Sequence, residues 1–335
     1  MKRMALVTLL SLCFVMPVNS FALSNTARVP VLYYHPGVAS SCDYANYASM
    51  AFAQDLELLY QQNPPIHVIP LYWLAEWALG QRDGSTLPDR VVAISTDDGP
   101  NDVWIDVDAG GAPCGGNRIS FKRRIEEFRA SHPELNLQWW EPHVSNFVIA
   151  SPKVRQLMSG GPNAPQFWTD DWWAAANQSG FMEIHNHSID HDMLEVTERT
   201  TDPVIGVDLV AAGYGTTGDW VGHGNWNKID NYLSSQVEIS YAASYINLKI
   251  APAWPDLFAY PFYGPCGRFE CSPGQTAVID YLQNFQNEHG LLAAFTTKPE
   301  YVSRGSNRWM MGRFGWQADW TSSSGLQSIL NGATW

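Results

Sequence analysis

The sequence predicts an α/β protein in which parallel strands are joined by crossover helices. Short apolar runs rich in β-branched and aromatic residues alternate along the chain with helical patterns, and the candidate functional residues directly follow the apolar runs. Such alternation indicates either a doubly wound sheet or a barrel. In a barrel, the residues that follow the strands meet at one face, where such proteins place their chemistry.

Six apolar runs are predicted strands, and six segments with helical patterning are predicted helices. The strands are residues 29–34, 91–96, 146–149, 181–184, 257–260 and 291–296. The helices are residues 51–60, 71–79, 121–131, 171–178, 230–248 and 275–288. Gly- and Pro-rich stretches at residues 100–117, 159–165 and 201–227 are predicted loops, which at such lengths commonly form walls or lids of functional sites.

The first 22 residues have the pattern of a secretory signal peptide. Lys2 and Arg3 precede an apolar stretch, and the small residues Ser20 and Ala22 suit cleavage. The apolar stretch is shorter than the roughly 20 residues that a membrane-spanning helix needs, and no later segment is comparable. We expect residues 23–335 to form a single exported domain, periplasmic or secreted, without a membrane anchor.

Four of the five cysteines lie beyond the predicted signal peptide. An even number of cysteines in an exported chain favours two disulfides. Among the three possible pairings we favour Cys266 with Cys271, which closes a short Gly-containing loop, and Cys42 with Cys114. A zinc cluster of Cys and His is the weaker alternative, because the sequence contains no CxxC pair.

The composition limits the classes of partner. The formal net charge is −13 and no Lys/Arg-rich run occurs, so nucleic acids and anionic membrane surfaces are not expected partners. The chain contains 15 tryptophans. Their flat rings suit contact with sugars, but aromatic residues also dominate ordinary cores, and the sequence leaves these two uses open.

Two adjacent carboxylates follow the predicted strand at residues 91–96. If the strand continues, Asp97 and Asp98 are expected on opposite sides of its end, and Gly99 and Pro100 then turn the chain. One carboxylate can therefore bind a metal ion while its neighbour stays free. Asp before Gly is also a common turn residue, so this pattern gains weight only from its partners.

A pair of histidines supplies those partners. His187 and His191 are four residues apart, a spacing that can bring two imidazole nitrogens to one ion. Asp98, His187 and His191 would leave coordination positions open for water and substrate, as catalytic sites do. We place His185, two residues earlier, outside this ligand set.

Two other acidic patterns are interpreted as structural. Thr169-Asp170-Asp171 repeats the letters of the first motif but precedes a helical pattern, so it is predicted to cap a helix. Asp102, Asp106 and Asp108 do not have the spacing of an EF-hand loop, and we expect a solvated acidic loop there.

The motifs resemble those of the polysaccharide deacetylases, the NodB-homology carbohydrate esterases. That family has a T-F-D-D-G motif, matched here by Thr96-Asp97-Asp98-Gly99 without the Phe, and an H-[S/T]-x-x-H motif, matched by His187-Ser188-Ile189-Asp190-His191. The surrounding strands at residues 145–149 and 180–187 are similar as well. The resemblance spans about residues 29–314 and implies a distorted (β/α) barrel with long loop insertions.

The resemblance also implies a role for each matched residue. Asp97 would be the catalytic base, and Asp98, His187 and His191 would bind a divalent metal, zinc by preference. The segment Leu-Phe-Ala-Tyr-Pro-Phe-Tyr-Gly resembles the third motif, in which the backbone N–H of Phe262 or of Tyr263 would bind the oxyanion.

Two departures from the commonest family pattern leave roles to be filled. The usual arginine of the third motif is missing, and Arg313 or Arg268 would take its place beside Asp97. The late Leu-x-His motif is also missing. The segment Val31-Leu32-Tyr33-Tyr34-His35 instead resembles the opening motif of the poly-N-acetylglucosamine deacetylase branch, which makes His35 the candidate general acid; a core histidine is the structural alternative.

The expected activity is metal-dependent removal of N-acetyl groups from an amino-sugar polysaccharide or oligosaccharide. An O-acetyl polysaccharide esterase with the same site is the nearest alternative. A non-catalytic exported glycan-binding protein is a further one, although such a protein would not need a free Asp97. A purely structural metal site would leave the open coordination positions unexplained.

Overall fold

A computed structural model describes residues 22–37, 41–108, 117–133, 135, 142–159, 167–191, 229, 231–268, 271 and 275–335. The predicted signal peptide, except its last residue, lies outside the described residues, as do Cys114 and the predicted loop at residues 201–227. None of the described helices combines the length and the apolar character that crossing a membrane requires.

A parallel sheet forms the centre of the molecule. Its main path runs in the order β10-β1-β3-β6-β7-β8-β9, and β2 pairs with the first half of β3. The strands are β1 Val31–Tyr34, β2 His67–Ile69, β3 Val91–Thr96, β6 Val144–Val148, β7 Met182–Asn186, β8 Leu257–Ala259, β9 Ala293–Phe295 and β10 Phe314–Gly315. A separate antiparallel pair consists of β4 Val107–Asp108 and β5 Asn117–Arg118.

The chain just before and within β10 joins the last strand of the sheet to the first. Met311 exchanges backbone hydrogen bonds with β9, its N–H donating to Ala294 O at 3.0 Å and its O accepting from Thr296 N at 2.8 Å. A few residues later, Phe314 and Gly315 pair with β1. Gly315 is required there, because a Cβ atom would lie 2.4 Å from the Tyr33 ring. The predicted distorted (β/α) barrel is thereby confirmed.

Helices surround this sheet. The longer ones are α1 Ala48–Tyr60, α2 Leu71–Ala78, α3 Phe121–Ser131, α7 Ala242–Ile250, α8 Ala277–Asn284 and α10 Ser323–Gly332. The shorter ones are α4 Pro152–Met158, α5 Trp173–Gln178, α6 Tyr232–Gln236 and α9 Gln286–His289. A π-helical segment, Val237–Tyr241, joins α6 to α7 without interruption.

Most of the predicted elements are present. The strand at residues 91–96 and the helix at residues 121–131 have the predicted bounds. The predicted helix at residues 275–288 is wrong as one element, because the backbone leaves the helical region at Phe285 and divides it into α8 and α9. The sequence analysis missed α4, α10 and the four short strands β2, β4, β5 and β10.

Alternate strand residues build two apolar layers. Residues such as Leu32, Ile94 and Ile184 pack outward against the surrounding helices. Their neighbours, such as Ala93 and Phe295, point inward and pack with α2. Apolar side chains thus fill the barrel interior next to α2. The polar residues of the interior lie at the carboxyl ends of the strands.

The tryptophans of the described residues serve mainly the core. Six of them are buried: Trp77, Trp172, Trp173, Trp309, Trp316 and Trp320. No tryptophan in the described part of the chain is exposed. The predicted Cys266–Cys271 disulfide is confirmed. Cys42 is disulfide-bonded as well, and its predicted partner Cys114 lies outside the described residues.

A buried carboxylate links α1 to β1 and to two other segments of the chain through hydrogen bonds. Asp55 in α1 is fully buried and accepts hydrogen bonds from the hydroxyls of Tyr34 and Tyr44 and from the indole N–H of Trp320, at 2.7, 2.5 and 3.3 Å. Burial raises the pKa of Asp55 to about 6, against the opposing effect of these three donors. The charged form therefore carries a net cost in the folded protein.

This pKa predicts how stability depends on pH. The folded carboxyl titrates near 6, above the value of about 3.9 expected in the unfolded chain, so its contribution to stability is present at low pH and is lost as the pH rises through 6. On acidification from pH 7 to pH 5, the unfolding free energy of the wild type should rise by about 1 kcal/mol relative to Asp55→Asn, which lacks this titration. Denaturant unfolding of both proteins measures the difference, and a relative decrease on acidification would contradict the assignment.

Candidate metal centre

The carboxyl ends of four strands and the chain before β10 bring the candidate residues together. His35 follows β1, Asp97 and Asp98 follow β3, and His187 follows β7. The segment containing Phe262 follows β8, and Arg313 immediately precedes β10. Because parallel strands end at the same face of a barrel, residues far apart in sequence become neighbours there.

Asp98, His187 and His191 converge on one point. Asp98 Oδ1 lies 3.5 Å from His187 Nε2 and 3.8 Å from His191 Nε2. One potential ligand atom from each residue lies within 4.8 Å of the others, and within the described ranges no other three His, Cys, Asp or Glu side chains meet this condition. Two imidazoles and one carboxylate are a donor set that suits zinc, with positions left for water or substrate.

A hydrogen bond from the opposite ring nitrogen orients His187. Its Nδ1 lies 2.8 Å from the carbonyl oxygen of Ala259, at the end of β8. A carbonyl oxygen can only accept, so Nδ1 carries the hydrogen, and the Nε2 lone pair of the neutral ring is left to bind a metal ion. This outer contact is the arrangement found around metal-binding histidines.

The backbone around the site is unusually left-handed. Among the described non-glycine residues, five have a positive φ, and four of them lie here: Asp98, Ser188, His191 and Phe262. Gly99 is left-handed as well, and a Cβ atom there would lie 2.5 Å from Val148 Cγ1. Such conformations cost about 1–3 kcal/mol each for non-glycine residues and persist only where surrounding contacts hold them.

The electrostatics favour a charged Asp98 and a neutral His191. Burial would raise the pKa of Asp98, but His187 and the other nearby imidazoles hold it well below its usual range. Burial lowers the pKa of His191 to about 4, so this imidazole is neutral near pH 7. Burial also acts to lower the pKa of His187, but Asp98 and Asp97 outweigh it and raise the pKa. The two carboxylates thus attract positive charge to this point.

Asp97 is held apart from these three residues by Arg313. The Arg313 guanidinium donates from Nη1 to Asp97 Oδ1 at 2.6 Å and from Nη2 to Oδ2 at 2.9 Å. Burial alone would raise the pKa of Asp97, but the Arg313 charge, with smaller contributions from His187 and His35, lowers it. Of the two arginines that the sequence left open, Arg313 contacts Asp97 and Arg268 is exposed.

His35 faces the other side of Asp97. Its Nε2 lies 3.8 Å from Asp97 Oδ2, and its side chain is 51% exposed. The structural alternative, a buried core histidine, is therefore wrong. An imidazole at the mouth of the site can reach both a substrate and solvent.

Phe262 and Tyr263 form the opposite wall. The Phe262 ring lies edge-on to His191 with ring centroids 4.6 Å apart. Both aromatic side chains are exposed, Tyr263 at 57%. The N–H of Thr297 donates to Tyr263 O at 3.1 Å, and the Cys266–Cys271 disulfide closes the loop that follows. The backbone of these two residues is therefore restrained beside the candidate metal centre.

Two structural interpretations of acidic residues need correction. Asp170 does not cap α5, because the N-terminus of that helix has no side-chain cap. Its carboxylate instead binds Arg155 and Lys249, at 2.8 and 3.2 Å. Asp102 is buried rather than solvated, and burial raises its pKa to about 6.

Binding of zinc tests the three proposed ligands. His187→Ala should weaken Zn²⁺ binding by more than about 100-fold, because removing a ligand costs at least as much as disturbing its outer partner. His185→Ala is the matched control: His185 is also buried and lies in β7, the strand that His187 follows, but it contacts Glu183 and Phe147. Isothermal titration with Zn²⁺ measures both affinities, and equal losses in the two variants would refute the assignment.

Comparisons with known proteins bear on the fold. Neither a protein-family model nor a curated protein matches the chain. The structure of IcaB from Ammonifex degensii is similar, with a TM-score of 0.52 and 15% identity, covering 91% of this chain and 97% of that one. A de-N-acetylase from Aggregatibacter actinomycetemcomitans is similar too, with a TM-score of 0.53 and 14% identity over 90% of this chain and 99% of that one. The chain therefore has the fold of the polysaccharide deacetylases that its motifs resemble.

Proposed function

We propose that the protein is a metal-dependent deacetylase that hydrolyses N-acetyl groups of an amino-sugar polysaccharide or oligosaccharide. One observation carries the proposal: a cluster of Asp98, His187 and His191 lies beside a separate carboxylate, Asp97, which Arg313 holds in place. A metal site without catalysis would not need the second carboxylate. The fold shared with a de-N-acetylase supports the choice of reaction.

The residues at the centre fit a divalent ion. His187 Nε2, His191 Nε2 and the Asp98 carboxylate would hold it, and zinc is the ion that this donor set favours. A zinc ion held by these residues would supply Lewis acidity, which makes an attacking water more acidic and the acetyl carbonyl more electrophilic.

Asp97 is the proposed general base. It accepts the proton of the attacking water, and the low pKa imposed by Arg313 keeps it ionised and ready to do so. Arg313 occupies one lone pair of each carboxylate oxygen and fixes the carboxylate plane. Asp97 Oδ2 also lies toward His35, so base and acid are adjacent.

His35 is the proposed general acid. Its Nε2 donates a proton to the sugar nitrogen as the C–N bond breaks, so that water and amide become acetate and amine. An amide leaving group needs this proton more than an ester does, which favours an N-acetyl substrate. The backbone N–H of Phe262 or Tyr263 stabilises the negative charge that develops on the carbonyl oxygen.

The charge and surface of the protein suit such a substrate. Deacetylation leaves a cationic amino sugar, and the net charge of −13 attracts a polymer that already carries such groups. The exposed rings of Phe262 and Tyr263 offer apolar faces to sugar rings at the site. The basic and apolar N-terminal pattern supports export to the periplasm or the medium.

Acetate release tests the activity. After chelation and readdition of zinc, the wild type should release acetate from N-acetylglucosamine oligomers, and Asp97→Asn should be slower by about 10²–10⁴-fold, the usual worth of a general base. Asp171→Asn, a substitution of an exposed carboxylate, controls for the change of charge.

The possible outcomes separate the competing functions. Zinc-dependent release that Asp97→Asn slows to this extent, while Asp171→Asn does not, supports the proposal. No release from these oligomers, together with release from O-acetylated polysaccharide, would replace it with the esterase. No release from either substrate while zinc binds tightly would overturn the enzymatic assignment in favour of glycan binding.

A further inference from the structure

A hydrogen-bonded chain connects the π-helical segment to the loop that contains His187 and His191. The segment Val237–Tyr241 is a π-helical turn within a continuous helix from Tyr232 to Ile250 that is otherwise α-helical. π-Helical turns are rare and frequently occur at functional sites. The carbonyl oxygen of Ile239, within this turn, accepts a hydrogen bond from the side chain of Asn186 at 2.9 Å.

Asn186 is the last residue of β7, and its side chain is completely buried. Its Nδ2 donates to Ile239 O, and its Oδ1 accepts from the N–H of Ser188 at 2.8 Å. A backbone carbonyl only accepts and a backbone N–H only donates, so the orientation of the amide is fixed. An aspartate has no donor for the first contact, and an alanine makes neither.

Ser188 transmits this contact to His191. The backbone of Ser188 is left-handed, with a φ of 73°, and its Oγ accepts from the N–H of His191 at 2.8 Å. The carbonyl oxygen of Ser188 also accepts from Ala150 N at 3.0 Å. His191 is itself left-handed, with a φ of 57°. The unfavourable backbone of the loop is thus held by contacts that begin at Asn186.

His187 and His191 differ in how they are held. His187 lies within the turn that Asn186 and Ser188 form, but its N–H also donates to Val148 O at 3.0 Å and its ring Nδ1 to Ala259 O, two contacts that do not involve Asn186. The backbone N–H of His191 is bonded to Ser188 Oγ, and its ring lies against Phe262. Loss of the Asn186 contacts should therefore move His191 more than His187.

We propose that Asn186 is a positioning residue that sets the place of His191 in the metal centre through Ser188, with the π-helical turn as its anchor. This rests on the proposed function, since it assumes that Asp98, His187 and His191 bind the ion. Asn186 touches neither the ion nor the substrate. Its effect is on the geometry and affinity of the site.

Metal binding tests the proposal without reference to activity. Asn186→Asp should weaken Zn²⁺ binding by about 10–100-fold, the usual effect of replacing a residue that supports a metal ligand. It should also alter the visible spectrum of the Co²⁺-substituted protein. Asn177→Ala is the matched control, because Asn177 also supports β7, accepting from Ile184 N at 3.3 Å, but lies outside this chain of contacts. Its Zn²⁺ affinity and Co²⁺ spectrum should equal those of the wild type.

Ser188→Ala provides a second route if Asn186→Asp does not fold. It removes the hydroxyl that binds His191 N and should by itself weaken Zn²⁺ binding. Where Asn186→Asp folds, the two losses of Zn²⁺ affinity should not add in the double variant, because both substitutions break one chain of contacts. Unchanged Zn²⁺ affinity and an unchanged Co²⁺ spectrum in both single variants would overturn the proposal. Failure of the wild type to bind Zn²⁺ would instead refute the proposed function.

Discussion

The proposed site depends on the ion pair between Asp97 and Arg313, which joins the candidate base to the segment that closes the barrel. The two side chains are 2% and 0% exposed, so neither charge is stabilised by bulk water. Burying a charge is tolerated only when its partner and its hydrogen bonds are in place. Arg313 meets this condition, because it also donates to Thr296 O and Ser95 Oγ, both at 3.2 Å, and packs against the Tyr33 ring.

The position of Arg313 follows from how the sheet closes. Met311 is hydrogen-bonded to β9, and Phe314 and Gly315 pair with β1, so the chain between them connects the last strand of the sheet to the first. Arg313 lies in this connecting segment, and its guanidinium binds the Asp97 carboxylate at the end of β3. A shift in the register of either pairing would move the guanidinium away from the carboxylate. The backbone pairing that closes the barrel therefore also places the arginine that orients the proposed base.

The candidate metal ligands are held in a different way. Its left-handed residues are unfavourable locally and are held by tertiary contacts, as Ser188 is by Asn186. The surrounding structure thus supplies the free energy that keeps Asp98 and the two histidines in place before any ion binds. A preorganised set of ligands binds a metal more tightly than a flexible one, because less ordering remains to be done.

Much of the fold and of the candidate site could be predicted from the sequence, because local residue patterns indicate them. Asp97-Asp98-Gly99 ends an apolar run, and the spacing of His187 and His191 is a local signal too, so the cluster could be proposed before its geometry was known. The partner of Asp97 could not be decided. Arg313 is 216 residues away, and the strand that follows it is only two residues long. The role of Asn186 was equally hidden, since it depends on a helix that packs on β7 only in the folded protein.

The same limit explains the errors in the acidic residues. A sequence motif such as Thr169-Asp170-Asp171 resembles a helix cap, but Asp170 binds Arg155 and Lys249. Asp102 has the surroundings of a polar loop in sequence, whereas the fold buries it beside Arg118 at 3.7 Å. Each carboxylate is paired in the folded protein with cationic side chains that are distant in sequence. No local sequence pattern predicts these pairs.

The account is tested most directly by replacing Arg313 with lysine and measuring acetate release from N-acetylglucosamine oligomers together with Zn²⁺ affinity. Lysine keeps the charge but cannot bind both Asp97 oxygens in one plane, so kcat should fall by about 100-fold while Zn²⁺ affinity stays unchanged. Arg268→Lys, at an exposed position, should retain full activity. Wild-type kcat in a folded Arg313→Lys protein would contradict the claim that this arginine orients the base.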